Sequence, residues 1–169
     1  TWTMMLSFIG FQYYREKQYR SEVLNAQLQI YNKQLIGTIE NNRSYKEYIF
    51  SHENPFDELR ISIINLSGEV IYDNTLPHSI LDNHSQRPEV AQALKDGSGY
   101  RIGRYSQSDG REYFYSATRG DEVIVRTAIP YTSSLRELLR TDWNFLGILI
   151  AISIAMSILV VSSLEGKQE

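Results

Sequence analysis

An α+β domain with one antiparallel sheet, held between two transmembrane segments, is the architecture this sequence predicts. Three observations lead there: a proline-free amphipathic stretch from Gln12 to about Ile49, five β-rich runs with glycine turns between residues 59 and 130, and a charge-free run from Phe145 to Leu164. The 169 residues carry 20 Asp and Glu against 17 Lys and Arg, 42% hydrophobic residues and a mean hydropathy of −0.34. That balance fits one ordinary domain, and neither a disordered chain nor a nucleic-acid binder. The absence of cysteine excludes disulfides, thiolate zinc sites, iron–sulfur clusters and cysteine nucleophiles.

Residues 1–11, TWTMMLSFIGF, are uncharged and apolar and give way abruptly to QYYREKQYRSE, where aromatic and basic residues mix. They are too few to span a bilayer and read as the outer part of a first transmembrane helix. A signal peptide would need a basic start and a small-residue cleavage site, and neither is present. From Gln12 the chain continues as a long helix with an apolar stripe at Leu24, Leu28, Tyr31, Leu35 and Ile39. Leu24, Leu28, Tyr31 and Leu35 suit the seam of a parallel homodimer. The same stripe equally suits packing on the domain's own sheet, and Val23 and Ile30, on the opposite side of the wheel, would let one helix serve both contacts.

After a loop containing Pro55, strands are predicted at 59–66 and 69–73, joined by a Ser67-Gly68 turn, and at 100–106, 111–118 and 122–130. Asp109-Gly110 and Gly120-Asp121 provide hairpin chemistry for a three-stranded meander. Between the two groups, RPEVAQALKDGSG (87–99) reads as a short helix, with Pro88 in the first turn, Val90, Ala91 and Leu94 on one face, and Gly97 as the stop. SSLRELLR (133–140) reads as a serine-capped helix leading into the last span. That span, the 20 residues from Phe145 to Leu164, matches a bilayer's hydrocarbon thickness of roughly 30 Å at about 1.5 Å per residue. The layout is membrane segment 1–11, domain 12–144, membrane segment 145–164, and the start of a cytoplasmic linker at 165–169.

Three strings carry a resemblance. They are Leu66-Ser67-Gly68-Glu69-Val70-Ile71-Tyr72-Asp73, Asn83-His84-Ser85-Gln86-Arg87-Pro88-Glu89-Val90-Ala91-Gln92-Ala93-Leu94, and Gly97-Ser98-Gly99 followed by Arg104-Tyr105-Ser106. Together they resemble the extracytoplasmic PAS-like, single Cache-type sensors of bacterial histidine kinases, in the phosphate- and cell-wall-responsive kinase group. In that group a strand, turn and strand ending in aspartate precede a helix opened by Asn-His-x-x-Arg-Pro-Glu, then a glycine turn and three strands. The resemblance implies a homodimeric receptor in the cytoplasmic membrane, with residues 12–144 extracytoplasmic or periplasmic and a kinase half following. It also implies that Asn83, His84, Arg87, Pro88 and Glu89 form a structural helix-opening motif. No aspartate stands where amino-acid-sensing relatives bind an amine.

No residues for catalysis emerge. Ser51-His52-Glu53-Asn54-Pro55 lacks the continuation of a phosphoacceptor box, and there is no Walker loop and no G-x-S-x-G. The segment itself is therefore expected not to be an enzyme, and no cofactor is expected. His52, His78 and His84 lie in separate loops and would have to converge with carboxylates such as Asp82 or Glu89 to hold a metal, so no metal site is assigned. A ligand site is the sharper expectation. Alternation places Tyr113 and Tyr115 on one strand face, with Arg104 and Arg126 on the flanking strands, a set that suits a small anion or carboxylate. The same pattern also fits tyrosines packing the sheet on the long helix, with the arginines solvated or paired.

The expected function is sensing and transmembrane signal transmission, with the bilayer, a second copy of the chain, and a small anion or a protein as partners. A membrane-tethered scaffold, a chemoreceptor ectodomain and a cyclic-dinucleotide synthase ectodomain are the alternatives.

Overall fold

The computed structural model describes residues 2–51, 55, 56, 58–77, 82–106, 110–132, 135, 136, 139 and 143–165. The chain is α+β, with a long N-terminal helix and a five-stranded antiparallel sheet. In order come α1 (Trp2–Glu40), α2 (Tyr45–Ser51), β1 (Arg60–Asn65), β2 (Val70–Asp73), α3 (Pro88–Asp96), β3 (Ser98–Tyr105), β4 (Glu112–Arg119), β5 (Val123–Pro130) and α4 (Trp143–Glu165). The sheet order is β2-β1-β5-β4-β3. Two compact units result, one of Thr1–Arg20 with Leu138–Glu169 and the other of Ser21–Glu137.

The long helix stops at Glu40, not near Ile49. Asn42 takes a left-handed conformation (φ 54), and the Arg43 amide closes the end on the Thr38 carbonyl at 3.0 Å. Asparagine tolerates that conformation because its short polar side chain bonds locally. Ser44 then restarts a helix, its Oγ accepting from the Glu47 amide at 3.3 Å. Ser-x-x-Glu ahead of an apolar residue is a helix-opening signature, and here it opens α2 and buries Ile49.

Leu24, Leu28, Tyr31 and Leu35 are at most 5% exposed within the single chain. The expected dimer seam is thus core, because these side chains are already covered by the domain's own sheet. Two buried asparagines on the same side of α1 set its position. Asn32 Nδ2 donates to Thr118 Oγ1 at 3.2 Å, and Asn25 Oδ1 accepts from Ser116 Oγ at 2.7 Å. Ser116 and Thr118 alternate with Tyr113, Tyr115 and Ala117 along β4, so the tyrosines face away from α1. On that opposite face α3 covers a core of Ile64, Val70, Val90, Ala93, Ala117 and Ile124.

The short helix spans Pro88–Asp96, ending at Gly97 with φ 85, and β3 begins at Ser98, two residues ahead of expectation. Gly99 explains how close the two elements come. A Cβ there would lie 2.5 Å from the Glu89 carbonyl oxygen and 2.7 Å from Gln92 Cβ, so only glycine lets β3 press against α3.

At the start of the 133–140 segment the capping oxygen belongs to Thr132, whose Oγ1 accepts from the Leu135 amide at 3.4 Å. Ser133 and Ser134, expected as caps, lie outside the described residues, as do His52, His78 and Asp109. Among the described residues no helix is long and apolar enough to cross a membrane.

Leu28→Ala should cost about 2–5 kcal/mol, since a fully buried leucine leaves a cavity. Ile30→Ala, at a position 59% exposed, should stay within about 0.5 kcal/mol. Denaturant unfolding of both variants checks this, and equal losses would mean that the sheet is not what covers the stripe.

Candidate functional site

Four expected residues, Arg104, Tyr113, Tyr115 and Arg126, come together on the sheet face away from α1. Register explains how. Arg126 on β5 pairs with Ala117 on β4, two residues from Tyr115 and on the same face. Arg104 reaches that face through a bulge, because Arg101 pairs with Tyr115 while Arg104, not Gly103, pairs with Tyr113. Gly103, at φ 60, takes the left-handed conformation that such an extra residue requires. Without the bulge, strict alternation would turn Arg104 to the other side.

The arginines are paired, and their partner is Glu89, a residue that the sequence alone did not connect with them. Arg126 Nε donates to Glu89 Oε1 at 2.8 Å and Arg104 Nη2 donates to the same oxygen at 3.0 Å. The Glu89 side chain has no exposed surface, and Arg126 is 3% exposed. Both guanidinium groups lie over the Tyr115 ring, with carbon-to-centroid distances of 4.4 Å for Arg104 and 4.0 Å for Arg126. Tyr113 meets Tyr115 at 5.6 Å between centroids. Burial lowers the Arg126 pKa, and the Glu89 carboxylate works against that shift.

A second ion pair lies beside the first. Arg60 Nε donates to Asp73 Oδ2 at 3.0 Å, and Ser62 Oγ donates to the same oxygen at 2.8 Å. Asp73 Oδ1 accepts from the Thr75 and Leu76 amides, both at 2.9 Å, so the aspartate that ends β2 also closes the following turn. Ser62 pairs with Arg126 across β1 and β5, which puts both ion pairs on one face.

The segment leading into α3 is fixed to the β1–β2 turn. Asn83 Nδ2 donates to the Ser67 carbonyl at 2.9 Å, and Asn83 Oδ1 accepts from the Ser85 amide at 2.8 Å. The His84 amide donates to the Gly68 carbonyl at 2.7 Å. Arg87 precedes the helix without a side-chain capping bond, and Pro88 occupies the first turn, where its missing N–H costs nothing. Glu89 sits in that first turn, where a carboxylate also complements the helix dipole.

Glu89 is held through one carboxylate oxygen by two guanidinium groups, Arg104 and Arg126. Within the described residues Glu89 Oε2, Arg104 Nε and Tyr115 Oη have no hydrogen-bond partner although buried. One acceptor, one donor and one hydroxyl therefore lie together, and two guanidinium groups face one carboxylate, an excess of one positive charge. Among the described residues no three metal-ligating side chains gather. No protein-family model, no curated protein and no solved structure matches the chain.

Glu89→Ala should cost about 3–5 kcal/mol, because it strands two guanidinium groups on the buried face. Glu58→Ala should leave stability unchanged, since its pair with Arg111 is two-thirds exposed on both sides. Unfolding midpoints compare the two. A small loss for Glu89→Ala would mean that the cluster does not hold α3 to the sheet.

Proposed function

We propose that the chain is the extracytoplasmic sensing and signal-transmission region of a dimeric sensor histidine kinase, of the PAS-like, single Cache type, anchored in the cytoplasmic membrane. The observation that carries this reading is the continuity of α1. One uninterrupted helix runs from Trp2 to Glu40. Its later residues are core to the sheet, while Met4, Leu6, Phe8 and Phe11 near its start are each more than half exposed. A continuous helix whose later turns pack on the sheet and whose first turns are apolar suits the conversion of a small shift in the domain into a displacement at the membrane.

The last helix supports the anchoring. Ile148, Ile152, Met156, Ile158, Leu159 and Val160 are all exposed, a surface that water disfavours and lipid accepts. Ser153 Oγ donates to the Leu149 carbonyl at 2.8 Å and Ser157 Oγ to the Ser153 carbonyl at 2.9 Å, so both hydroxyls are satisfied inside their own helix. A serine in hydrocarbon needs that arrangement. We place the span at residues 145–164 and the outer part of a first one at 1–11. A second copy would meet α1 on the side of Val23 and Ile30, one heptad apart and 42% and 59% exposed. The order of strand pair, Asn-His-x-x-Arg-Pro-Glu helix and three-stranded meander supports the family reading.

The signal in this reading is a small anion at Arg104, Tyr115 and Arg126. With one positive charge in excess, a monovalent carboxylate balances the site.

Two measurements test this. The cysteine-free chain allows single-cysteine labelling, and Asp121→Cys should react with a membrane-impermeant maleimide in intact spheroplasts, while Gln168→Cys should react only after lysis. Labelling of Asp121→Cys only after lysis would falsify the extracytoplasmic placement. Separately, millimolar acetate or lactate should raise the melting temperature of the detergent-solubilised chain by mass action. Arg104→Ala should remove that rise while the chain still folds, and no response to either carboxylate would remove the anion from the proposal.

A further inference from the structure

The segment that fastens α3 to the sheet has a neutral, titratable group at its centre. His84 is 4% exposed, and its Nδ1 lies 2.6 Å from the Asp82 carbonyl oxygen. A carbonyl only accepts, so Nδ1 carries the proton and Nε2 is the ring's basic nitrogen. The charged groups around the ring come from every element packed there. Arg87 lies on its own segment, Arg60 on β1, Arg126 on β5, with Arg104 on β3 sharing the Glu89 carboxylate. The carboxylates of this face are Asp73 on β2, bonded to Arg60 and Ser62, and Glu89 on α3, bonded to Arg104 and Arg126. Each already serves cations, so the ring has no carboxylate of its own among the described residues. Of the nearby turn and segment carboxylates, Glu69 is exposed and accepts from Asn65, and Asp82 is exposed.

We propose that the segment from Asp82 to Glu89 is an acid-operated latch, in which the neutral His84 ring lets α3 rest on an arginine-lined sheet face and a proton on that ring releases α3 locally. The inference stands apart from the kinase reading and from anion binding, since it needs only the geometry of this face.

The physical reason is the placing of a second cation among guanidinium groups in a buried setting. Burial is the largest cause that lowers the His84 pKa from 6.5 to about 4. The field of Arg126 follows, the bond to the Asp82 carbonyl works the other way, and Arg87 and Arg60 add to the lowering. The folded value is depressed, so protons bind the opened segment more tightly than the closed one. The closed state is therefore fully favoured above pH 6.5 and loses that advantage as pH falls from 6.5 towards 4. Between pH 7 and pH 5 the opening constant should rise roughly 20-fold. What opens is the ring's own segment, namely the His84 amide bond to Gly68, the Asn83 contact with the β1–β2 turn and the start of α3. The ladder between β4 and β5 does not involve it.

Hydrogen–deuterium exchange on the full chain in detergent micelles, at pH 7 and pH 5 and corrected for intrinsic exchange rates, tests the latch. Peptides covering residues 84–96 should lose roughly 20-fold in protection, while those in β4 and β5 keep theirs. His84→Gln should abolish the acid response, and Glu69→Gln, at an exposed carboxylate of the β1–β2 turn, should retain it. An unchanged acid response in His84→Gln overturns the proposal, as does an equal loss throughout the sheet, which would be global unfolding. Should His84→Gln fail to fold, a ring-proton NMR titration of the wild-type chain decides. A His84 midpoint near 6.5 overturns the latch, and one well below 5.5 supports it.

Discussion

A carboxylate with no exposed surface must be neutralised where it stands, and Glu89 is neutralised by arginines from two strands that flank a third. Arg104 on β3 and Arg126 on β5 reach the same oxygen across β4, and the Tyr115 ring of β4 fills the space beneath them. The pairing therefore ties three strands and one helix at a single atom. Leaving any one member without the others would bury an unpaired charge, which costs more than the pair contributes. The position of α3 follows from this, and Gly99 permits it by letting the β3 backbone approach the helix. With α3 placed, the preceding segment falls against the β1–β2 turn, where Asn83 and His84 bond to Ser67 and Gly68.

The two faces of the sheet solve different problems. Towards α1 the polar contacts are neutral, made by Asn25 and Asn32 with Ser116 and Thr118, and they fix the helix's position without a charge to desolvate. Towards α3 the contacts are ionic, and both faces retain buried atoms without protein partners among the described residues, Asn32 Oδ1 on one and Glu89 Oε2 on the other. Strand β4 serves both faces in alternation, with Tyr115 beside Ser116.

Much of the fold was legible because its punctuation is local chemistry. Pro88 and Gly97 bound α3, Gly120 closes the last hairpin, and the alternation of β4 sorts its side chains between two faces. The break at Asn41-Asn42 has a local signal in Ser44-x-x-Glu47, which the apolar period running past it obscures. The stripe of Leu24, Leu28, Tyr31 and Leu35 could not be assigned from period alone, because a dimer seam and a sheet-facing stripe have the same spacing. At the site, alternation places Tyr113 and Tyr115 on one face, the register of β5 adds Arg126, and Arg104 joins them only through the bulge at Gly103. Glu89 was hidden for another reason. Its neighbours are 15 and 37 residues away in sequence, and no local pattern marks a glutamate as bridging two strands.

The proposed anion site and the proposed acid latch would meet in one charge balance. Arg104 and Arg126 exceed Glu89 by one positive charge, and a proton on His84 would raise that excess beside Arg126. A carboxylate seated on the arginines would lower it again, and so raise the proton affinity of the folded His84. By linkage the reverse holds equally, because a protonated His84 would strengthen the hold of the closed site on the anion by the same factor. The two influences then act on α3 in opposite senses. Acid alone would favour release, while acid with the anion present would leave the latch closed to a lower pH. The face would respond to the ratio of proton to anion, and no residue beyond those already in contact would be needed for that coupling.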